Sequence, residues 1–272
     1  MIKRMSAYPV KDILDIPISA IPLAKIDQVV TSFIEKTGKK TFFYVNAHCL
    51  NVAAKDSHYK RILQDASLIY SGGLGPVLAS RILGQPLPGR APTPDFIDEV
   101  FCTAQKKKWS IYLLGTKEES LKLFVDQLKQ KFPSLDICGS HHGYFTKHEE
   151  NSIISEINLL KPTILIVGMG TPKQEKWVDD NLQRIDTKAF WAVGALFDVM
   201  AGVLPRAPKW MQILGFEWFY RFLQEPKRLW KRYLIGNVIF LMSVFLVLIR
   251  IKFINRFRFL NVTKETNYSW PL

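Results

Sequence analysis

The chain has 272 residues, of which 48% are hydrophobic and 22% are charged, and it carries a formal net charge of +13. These values exclude an intrinsically disordered chain and allow one large domain with an appendage. The three cysteines lack the close spacing of a metal site or a disulfide framework, which favours a reducing, cytoplasmic setting. The first residues contain no long apolar stretch, so no secretory signal is expected.

Six short runs rich in β-branched and apolar residues predict strands, and segments with helical periodicity lie between them. The predicted strands are residues 41–45, 68–70, 110–114, 135–138, 163–167 and 189–193. Thr116 with Glu119, and Thr146 with Glu149, have the spacing of a helix capping box. The alternation of strand and helix predicts an α/β fold with a mainly parallel sheet and flanking helices.

The turn after the predicted strand at 163–167 is the strongest local signal for a ligand. It contains Gly168 and Gly170 and leads into a predicted helix, with Thr171 as its cap and Pro172 as its first residue. Glycines let a ligand approach the backbone, and free N–H groups at a helix start favour an anion. Three polar side chains follow in the first helical turn: Lys173, Gln174 and Glu175. The alternative is a tight turn without a ligand.

Three further turns follow other predicted strands. They contain Asn46 and His48, then Gly72, Gly73 and Gly75, and finally Gly194 and Asp198. Ligands of parallel sheets bind outside the carboxyl ends of the strands, so four turns at one edge predict a cleft for a nucleotide sugar. Arg90 lies in a Pro-rich loop where its cation would be accessible to phosphate, although a solvated arginine is the alternative. The five histidines have no metal-site spacing, so no metal is expected.

Beyond Gly202 the alternation ends, which divides the chain into a core, 1–202, and a helical appendage, 203–272. The appendage contains twelve Lys or Arg against three Glu, together with four Trp. Basic residues among aromatic ones suit an anionic membrane surface or nucleic acid. Nucleic acid is disfavoured because no known binding signature is present. A dinucleotide-dependent oxidoreductase is disfavoured because no GxGxxG follows the first strand.

The appendage contains an apolar run, residues 234–249, with basic residues on both sides. Its sixteen residues are fewer than the ~20 that a spanning helix needs. We predict an amphipathic or shallowly inserted helix with Lys and Arg at the headgroups. The alternatives are a single short spanning helix and a helix that packs on the core or between copies of the chain.

Six segments between residues 12 and 233 carry a family resemblance. They are VNAHCLNVA, GPVLASRILGQPLPGR, HHGYFT, VGMGTPKQEKW, AVGALFDVMAGVLPRAPKW and GFEWFYRFLQEPKRLWKRY. Together they resemble the WecG/TagA/CpsF family of bacterial glycosyltransferases (glycosyltransferase family 26). The last three segments, in this order, are specific to that family.

The resemblance implies a Rossmann-like core of the GT-E type, with a C-terminal appendage that completes the site at the membrane. It implies an inverting transfer of a hexose or N-acetylhexosamine, such as N-acetylmannosamine or glucose, from a UDP-sugar. The acceptor would be a polyprenyl-diphosphate-linked sugar at the cytoplasmic face of the inner membrane. The product would enter a cell-envelope polymer such as an exopolysaccharide. No cofactor is implied, and a homo-oligomer is compatible with the resemblance.

The resemblance also implies roles for individual residues. Asn46 would lie near the acceptor sugar, and Arg90 and Gln174 would hold the donor. The arginines of the appendage would neutralise diphosphate. With the glycine turns, the predicted substrate-binding residues are Arg90, Gly168, Gly170, Gln174, Gly194, Asp198, Arg206, Arg221, Arg228 and Arg232.

One position departs from the family pattern. The family has Asp-Gly-x-Gly where this chain has Gly72-Gly73-Leu74-Gly75, and that aspartate is the family's proposed general base. Glycine cannot accept a proton, and general-base help contributes about 10²–10⁴ in rate. We consider three explanations: another base, with His48 and Asp95 as candidates; a different acceptor; or an impaired family member that acts as an accessory partner. The substitution Gly72→Asp is the test that the sequence suggests.

Overall fold

The computed structural model describes residues 8–265, with side chains described for residues 8–253. Its centre is a parallel sheet of six strands in the order β4-β3-β8-β7-β5-β6. The strands are β3 (Lys40–Val45), β4 (Leu68–Ser71), β5 (Ile111–Gly115), β6 (Ile137–His141), β7 (Ile164–Gly168) and β8 (Ala189–Ala192). A short antiparallel hairpin of β1 (Val10–Ile13) and β2 (Ile16–Ser19) precedes them. The predicted α/β fold is confirmed.

Helices cover both faces of the sheet, because alternate residues of each strand enter two separate apolar clusters. One face carries α2 (Ala47–Lys55), α3 (Ser57–Asp65), α4 (Leu74–Ile82), α7 (Lys147–Leu160) and α8 (Lys173–Asn181). The other carries α1 (Leu23–Ile34), α5 (Ile97–Lys107), α6 (Glu118–Lys131) and α9 (Leu196–Met200). A single 3₁₀ turn, Thr93–Asp95, precedes α5 in the loop that contains Arg90.

The six predicted strands are all present, with β6 beginning two residues later than predicted. The β1–β2 hairpin is absent from the prediction. Its two turn residues, Leu14 and Asp15, both have positive φ, at 56° and 62°. Such turns usually contain glycine or asparagine. Neither residue is present at positions 14 and 15, so the sequence did not predict the turn.

The predicted capping boxes have different outcomes. Thr146 accepts a hydrogen bond from the Glu149 N–H at 3.3 Å, and the Glu149 carboxylate accepts one from the Thr146 N–H at 2.6 Å, which confirms that box. The box at Thr116 is wrong. Thr116 has a positive φ of 49°, its hydroxyl donates to Asp198 instead, and α6 begins at Glu118.

The appendage is helical in its described part, as predicted. It contains α10 (Lys209–Ile213), α11 (Glu217–Gln224), α12 (Pro226–Trp230) and α13 (Gly236–Glu265), with a π-helical turn, Lys231–Ile235, joining the last two. Within the described residues, one helical stretch, Pro226–Phe253, is long and apolar enough to cross a membrane.

The apolar run does not have the predicted amphipathic pattern. Phe240 and Val244 are buried against the core, where α13 packs on α2 and α4. The opposite face is also apolar, with exposed Met242, Phe245 and Leu246. The predicted polar face is missing because residues 234–249 contain only two polar side chains.

Candidate active site

The four predicted turns lie side by side, because β4, β3, β8 and β7 are neighbours in the sheet and run in the same direction. Their carboxyl ends open into a cavity of about 870 Å³, which is within the usual range for ligand sites. The predicted residues that line it from the core are Asn46, His48, Gly72, Arg90, Gly168, Gly170, Gly194 and Asp198.

The appendage closes the cavity from the other side. It contributes four of the predicted arginines, Arg206, Arg221, Arg228 and Arg232, and the aromatic side chains of Trp218 and Tyr233. The rings of Trp218 and Tyr233 are 5.7 Å apart. Including Lys173, six basic side chains and two acidic ones line the cavity, so it favours an anionic ligand.

Two of the arginines have no carboxylate partner. The Nε atoms of Arg221 and Arg232 are buried, and neither donates a hydrogen bond to a partner among residues 8–253. No ion pair of the described residues includes either side chain, whereas Arg228 contacts Glu225 at 2.5 Å. Leaving a buried charged donor unpaired costs free energy, so these two guanidinium groups are suited to an anion that enters the cavity.

Arg90 and Arg206 are already paired. Arg206 contacts Asp95 at 2.7 Å and Glu217 at 3.0 Å, and Arg90 contacts the second oxygen of Glu217. Arg90 also donates to the carbonyl of Gln212 at 2.6 Å. Both arginines therefore have a structural role, which is to join the core loop to the appendage. The predicted roles of Arg90 in holding the donor and of Arg206 in binding substrate stay predictions.

Asp95 does not lie where a substitute base would be needed. Its carboxylate is held by Arg206, and it is absent from the cavity lining. The structure therefore does not support the hypothesis that Asp95 replaces the family's aspartate. The neighbouring Thr93 and Pro94 line the cavity instead, and the Thr93 hydroxyl is 2.7 Å from the Tyr70 hydroxyl.

Gln174 lies beneath the cavity and does not line it. Its side chain is fully buried, its Oε1 atom accepts from the N–H groups of Gly170 at 3.2 Å and Gly194 at 2.9 Å, and its Nε2 atom donates to Glu175. The predicted contact with the donor is thus replaced by an indirect role, in which Gln174 joins the turns after β7 and β8. Pro172 is the cap of α8, which begins at Lys173, one residue later than predicted.

His48 lines the cavity and remains a candidate base, but a weak one. Burial, with a contribution from the Arg232 charge, lowers the pKa of His48 to about 4. The imidazole is therefore neutral near pH 7 and has little affinity for a proton. Asn46 also lines the cavity, and its Oδ1 atom accepts from the Cys49 N–H at 3.1 Å, which caps α2.

Tyr44 fills the space beside Gly72. A Cβ atom at position 72 would lie 2.8 Å from Cδ2 of the Tyr44 ring, closer than real Cβ contacts allow. At its other end, the Tyr44 hydroxyl lies against Gly194, whose missing side chain makes room for it. The ring therefore crosses the end of β3, from the β4 turn to the β8 turn, and occupies the place of a side chain at position 72.

A comparison with known proteins places the chain in a family. A model described as the glycosyl transferase WecG/TagA/CpsF family matches residues 11–253. The chain belongs to this family. A related protein is the N-acetylglucosaminyldiphosphoundecaprenol N-acetyl-beta-D-mannosaminyltransferase of Staphylococcus aureus strain MW2. It is 31% identical over 220 residues, which are 80% of this chain and 86% of that protein. Proteins of the same name from strains MRSA252 and N315 have the same identity and coverage.

Several residues that line the cavity of this WecG/TagA/CpsF member were not predicted from the sequence as site residues. They are Tyr44, Thr116, Glu217, Trp218 and Tyr233. Tyr44 could have been found, because it lies near the end of β3, two positions before Asn46, whose extended backbone continues the alternation of the strand. No local pattern marked Glu217, because its role depends on Arg90 and Arg206, which lie in two other loops. Among the described residues, no cluster of three His, Cys, Asp or Glu side chains is arranged to hold a metal ion.

Proposed function

We propose that the chain is an inverting transferase that moves N-acetylmannosamine or a related hexose from a UDP-sugar to a polyprenyl-diphosphate-linked sugar. The names of the Staphylococcus aureus relatives, which specify an N-acetylmannosaminyl group and a diphosphoundecaprenol acceptor, support this proposal. The product would serve cell-surface polysaccharide synthesis. The size of the cavity and the excess of basic groups in it suit a sugar nucleotide.

The observation that carries the proposal is the pair of unpaired arginines, Arg221 and Arg232, which face the glycine turns across the cavity. When the bond between the sugar and UDP breaks, negative charge develops on the leaving diphosphate. Arginine forms short, charge-assisted hydrogen bonds to phosphate oxygens, and preorganised donors stabilise such a transition state. Arg228, which is more exposed, would extend this cationic surface toward the lipid diphosphate.

The lipid-linked acceptor would bring the chain to the cytoplasmic face of the inner membrane. The exposed apolar face of α13 and the exposed Trp210 and Trp230 are suited to the acyl and headgroup regions, and the basic residues near them to anionic lipids. The cavity opens beside this helix, with Asn237 and Leu241 of α13 in its lining. A lipid diphosphate could therefore reach the site without leaving the membrane surface.

The test is UDP release by the full-length protein in lipid vesicles, with a panel of UDP-hexoses, with and without polyprenyl-diphosphate-GlcNAc. We expect release that depends on the acceptor and on one donor. Arg221→Ala and Arg232→Ala should each reduce turnover about 10²-fold or more, because each removes a donor to the developing charge. The control is Arg61→Ala, which removes an exposed arginine on α3 and should have no effect.

A second candidate function is that of an accessory partner that binds a sugar nucleotide without transferring it. The absence of a side chain at Gly72 is the observation that favours it. UDP binding without release for any donor would support this function and contradict the transferase. Acceptor-dependent release would contradict the accessory role.

A further inference from the structure

A carboxylate without an assigned role lies directly beneath the cavity floor. Glu175 is fully buried, and its Oε1 atom accepts from the Thr171 hydroxyl and from Gln174, both at 2.9 Å. Its Oε2 atom is buried and has no hydrogen-bond partner in the described part of the chain. Burial raises the pKa of Glu175 to about 6. A buried carboxylate with a free oxygen is costly for stability, and such groups are concentrated at functional sites.

The Thr171 hydroxyl connects Glu175 to the cavity. Thr171 lies in the turn after β7, lines the cavity and donates to Glu175 at 2.9 Å. Because it donates its one proton to Glu175, its oxygen is left to accept a proton from a ligand in the cavity. Gly72, where the family has its aspartate, lines the same cavity.

We propose that Glu175 receives the proton of the attacking sugar hydroxyl through Thr171. The proposal rests on the transferase function proposed above, and it assigns a proton acceptor to a site in which position 72 has none. Thr171 would touch the acceptor sugar and pass the proton on, and Glu175 would act through it.

In the transfer, the acceptor oxygen forms a bond to the anomeric carbon while its proton moves to Thr171 Oγ1. The Thr171 proton moves to Glu175 Oε1. The bond between the anomeric carbon and the phosphate oxygen breaks, and UDP leaves with the electron pair, beside Arg221 and Arg232. After the products leave, the proton returns to water along the same path.

The titration of Glu175 can be distinguished from the titration of the groups around it. The titratable groups that face it are Tyr44 on β3, Cys49 on α2 and Tyr59 on α3. Burial raises the pKa of all three, that of Cys49 to about 11, so they remain protonated at cytoplasmic pH. The charge of Arg232 acts on Tyr44, Cys49 and His48, and His48 has lost its proton well below pH 6. A rate step near pH 6 would therefore point to Glu175.

The experiment is the pH dependence of acceptor-dependent UDP release for the full-length protein and three variants in vesicles. The wild-type kcat should rise as pH increases through about 6, because the relay needs an ionised Glu175. Glu175→Gln and Thr171→Val should each lower kcat by about 10²-fold or more, with a nearly unchanged donor KM. The Glu175→Gln profile should lack the step near pH 6. Thr171→Ser, which keeps the hydroxyl, should retain activity.

The matched control is Tyr59→Phe, because Tyr59 faces Glu175 but its hydroxyl has no partner among the described residues. Its turnover and pH profile should match those of the wild type. An active wild type whose step near pH 6 persists in Glu175→Gln, or full turnover in Thr171→Val, would overturn the relay and leave the transferase function intact. A wild type that binds UDP but releases none with any donor would overturn both.

Discussion

At the scale of single residues, the most informative feature is the pairing of Gly72 with Tyr44. The place that a side chain at position 72 would take is occupied by a large ring from the neighbouring strand. A substitution at either position must therefore be judged with the other, since residues in direct contact do not contribute additively.

The first prediction concerns Gly72→Asp. We expect this variant to lose about 1–3 kcal/mol of stability and to gain no turnover, because the new Cβ atom would overlap the Tyr44 ring. Combining it with Tyr44→Ala should recover most of the lost stability. Thermal unfolding and UDP release measure both effects. The control is Gly89→Ala, since a Cβ atom there meets nothing within 4 Å. A stable and faster Gly72→Asp variant would contradict the packing argument.

The second prediction concerns the stability of Glu175→Gln. Well below its usual pKa, Glu175 is protonated in both the folded and the unfolded state. As pH rises through the folded-state pKa of about 6, the folded protein loses about 2 kcal/mol relative to the unfolded chain, in which Glu175 ionises freely. Glutamine cannot ionise, so the variant should be more stable than the wild type near pH 7.5 and should have no such advantage near pH 4.

Denaturant unfolding at the two pH values tests this prediction. Glu119→Gln serves as the control, because Glu119 is exposed on α6 and should give no pH-dependent difference. Equal effects of the two substitutions at both pH values would show that ionisation of the buried carboxyl does not destabilise the folded protein. A gain in stability together with a loss of turnover would indicate a residue kept for its chemistry.

At the scale of elements, α13 combines two surfaces. One packs on α2 and α4 through Phe240 and Val244, and its start is fixed by Asn51, whose side chain donates to the Gly236 carbonyl at 2.6 Å. The other is apolar and exposed, which is unfavourable in water unless something covers it.

The third prediction is that this exposed surface contacts lipid. Met242→Ser combined with Phe245→Ser should reduce binding to anionic vesicles by up to about 10³-fold, because about 2 kcal/mol of transfer free energy is lost for each fully inserted side chain. The unfolding temperature should change little, since both side chains are exposed. Vesicle flotation measures the bound fraction. Leu159→Ser, at an exposed leucine on α7, is the control, and an equal effect there would argue against a specific membrane face.

At the scale of the whole molecule, the core and the appendage are joined by a network of four charged side chains. Arg90 and Asp95 come from the core loop, and Arg206 and Glu217 from the appendage. The cavity lies between the two parts, so its shape depends on this junction. The division at residue 202 remains a prediction about organisation, because α13 shares an apolar cluster with the core.

The fourth prediction is that Glu217→Gln loosens this junction. Two partly buried arginines would lose their shared carboxylate, which we expect to cost about 1–3 kcal/mol and to raise the donor KM. Limited proteolysis of the appendage should become faster. Glu225→Gln, which removes the partner of the exposed Arg228, is the control and should change proteolysis little. Equal proteolysis of both variants would show that the network does not hold the appendage in place.

The layered α/β fold, the meeting of four turns at one sheet edge and the family could all be predicted from the amino-acid sequence. These features depend on local periodicity, on glycine positions and on the rule that parallel strands present their carboxyl ends together. The basic character of the appendage and its apolar helix could be predicted in the same way. The β1–β2 hairpin was not predicted, because its turn residues, Leu14 and Asp15, adopt positive φ although neither is the glycine or asparagine that usually marks such a turn.

Which polar groups are free for a substrate depends on contacts between distant parts of the chain, and no sequence pattern predicts those contacts. Arg90 and Arg206 are paired with Glu217, Gln174 is buried between two turns, and Tyr44 occupies the space at Gly72. These contacts join Arg90 to Glu217, Gln174 to Gly194 and Tyr44 to Gly72, and the two residues of each pair are at least 20 positions apart in sequence. No local sequence pattern could therefore reveal them. Burial likewise sets the pKa of Glu175, because desolvation depends on every element that packs around the carboxyl group.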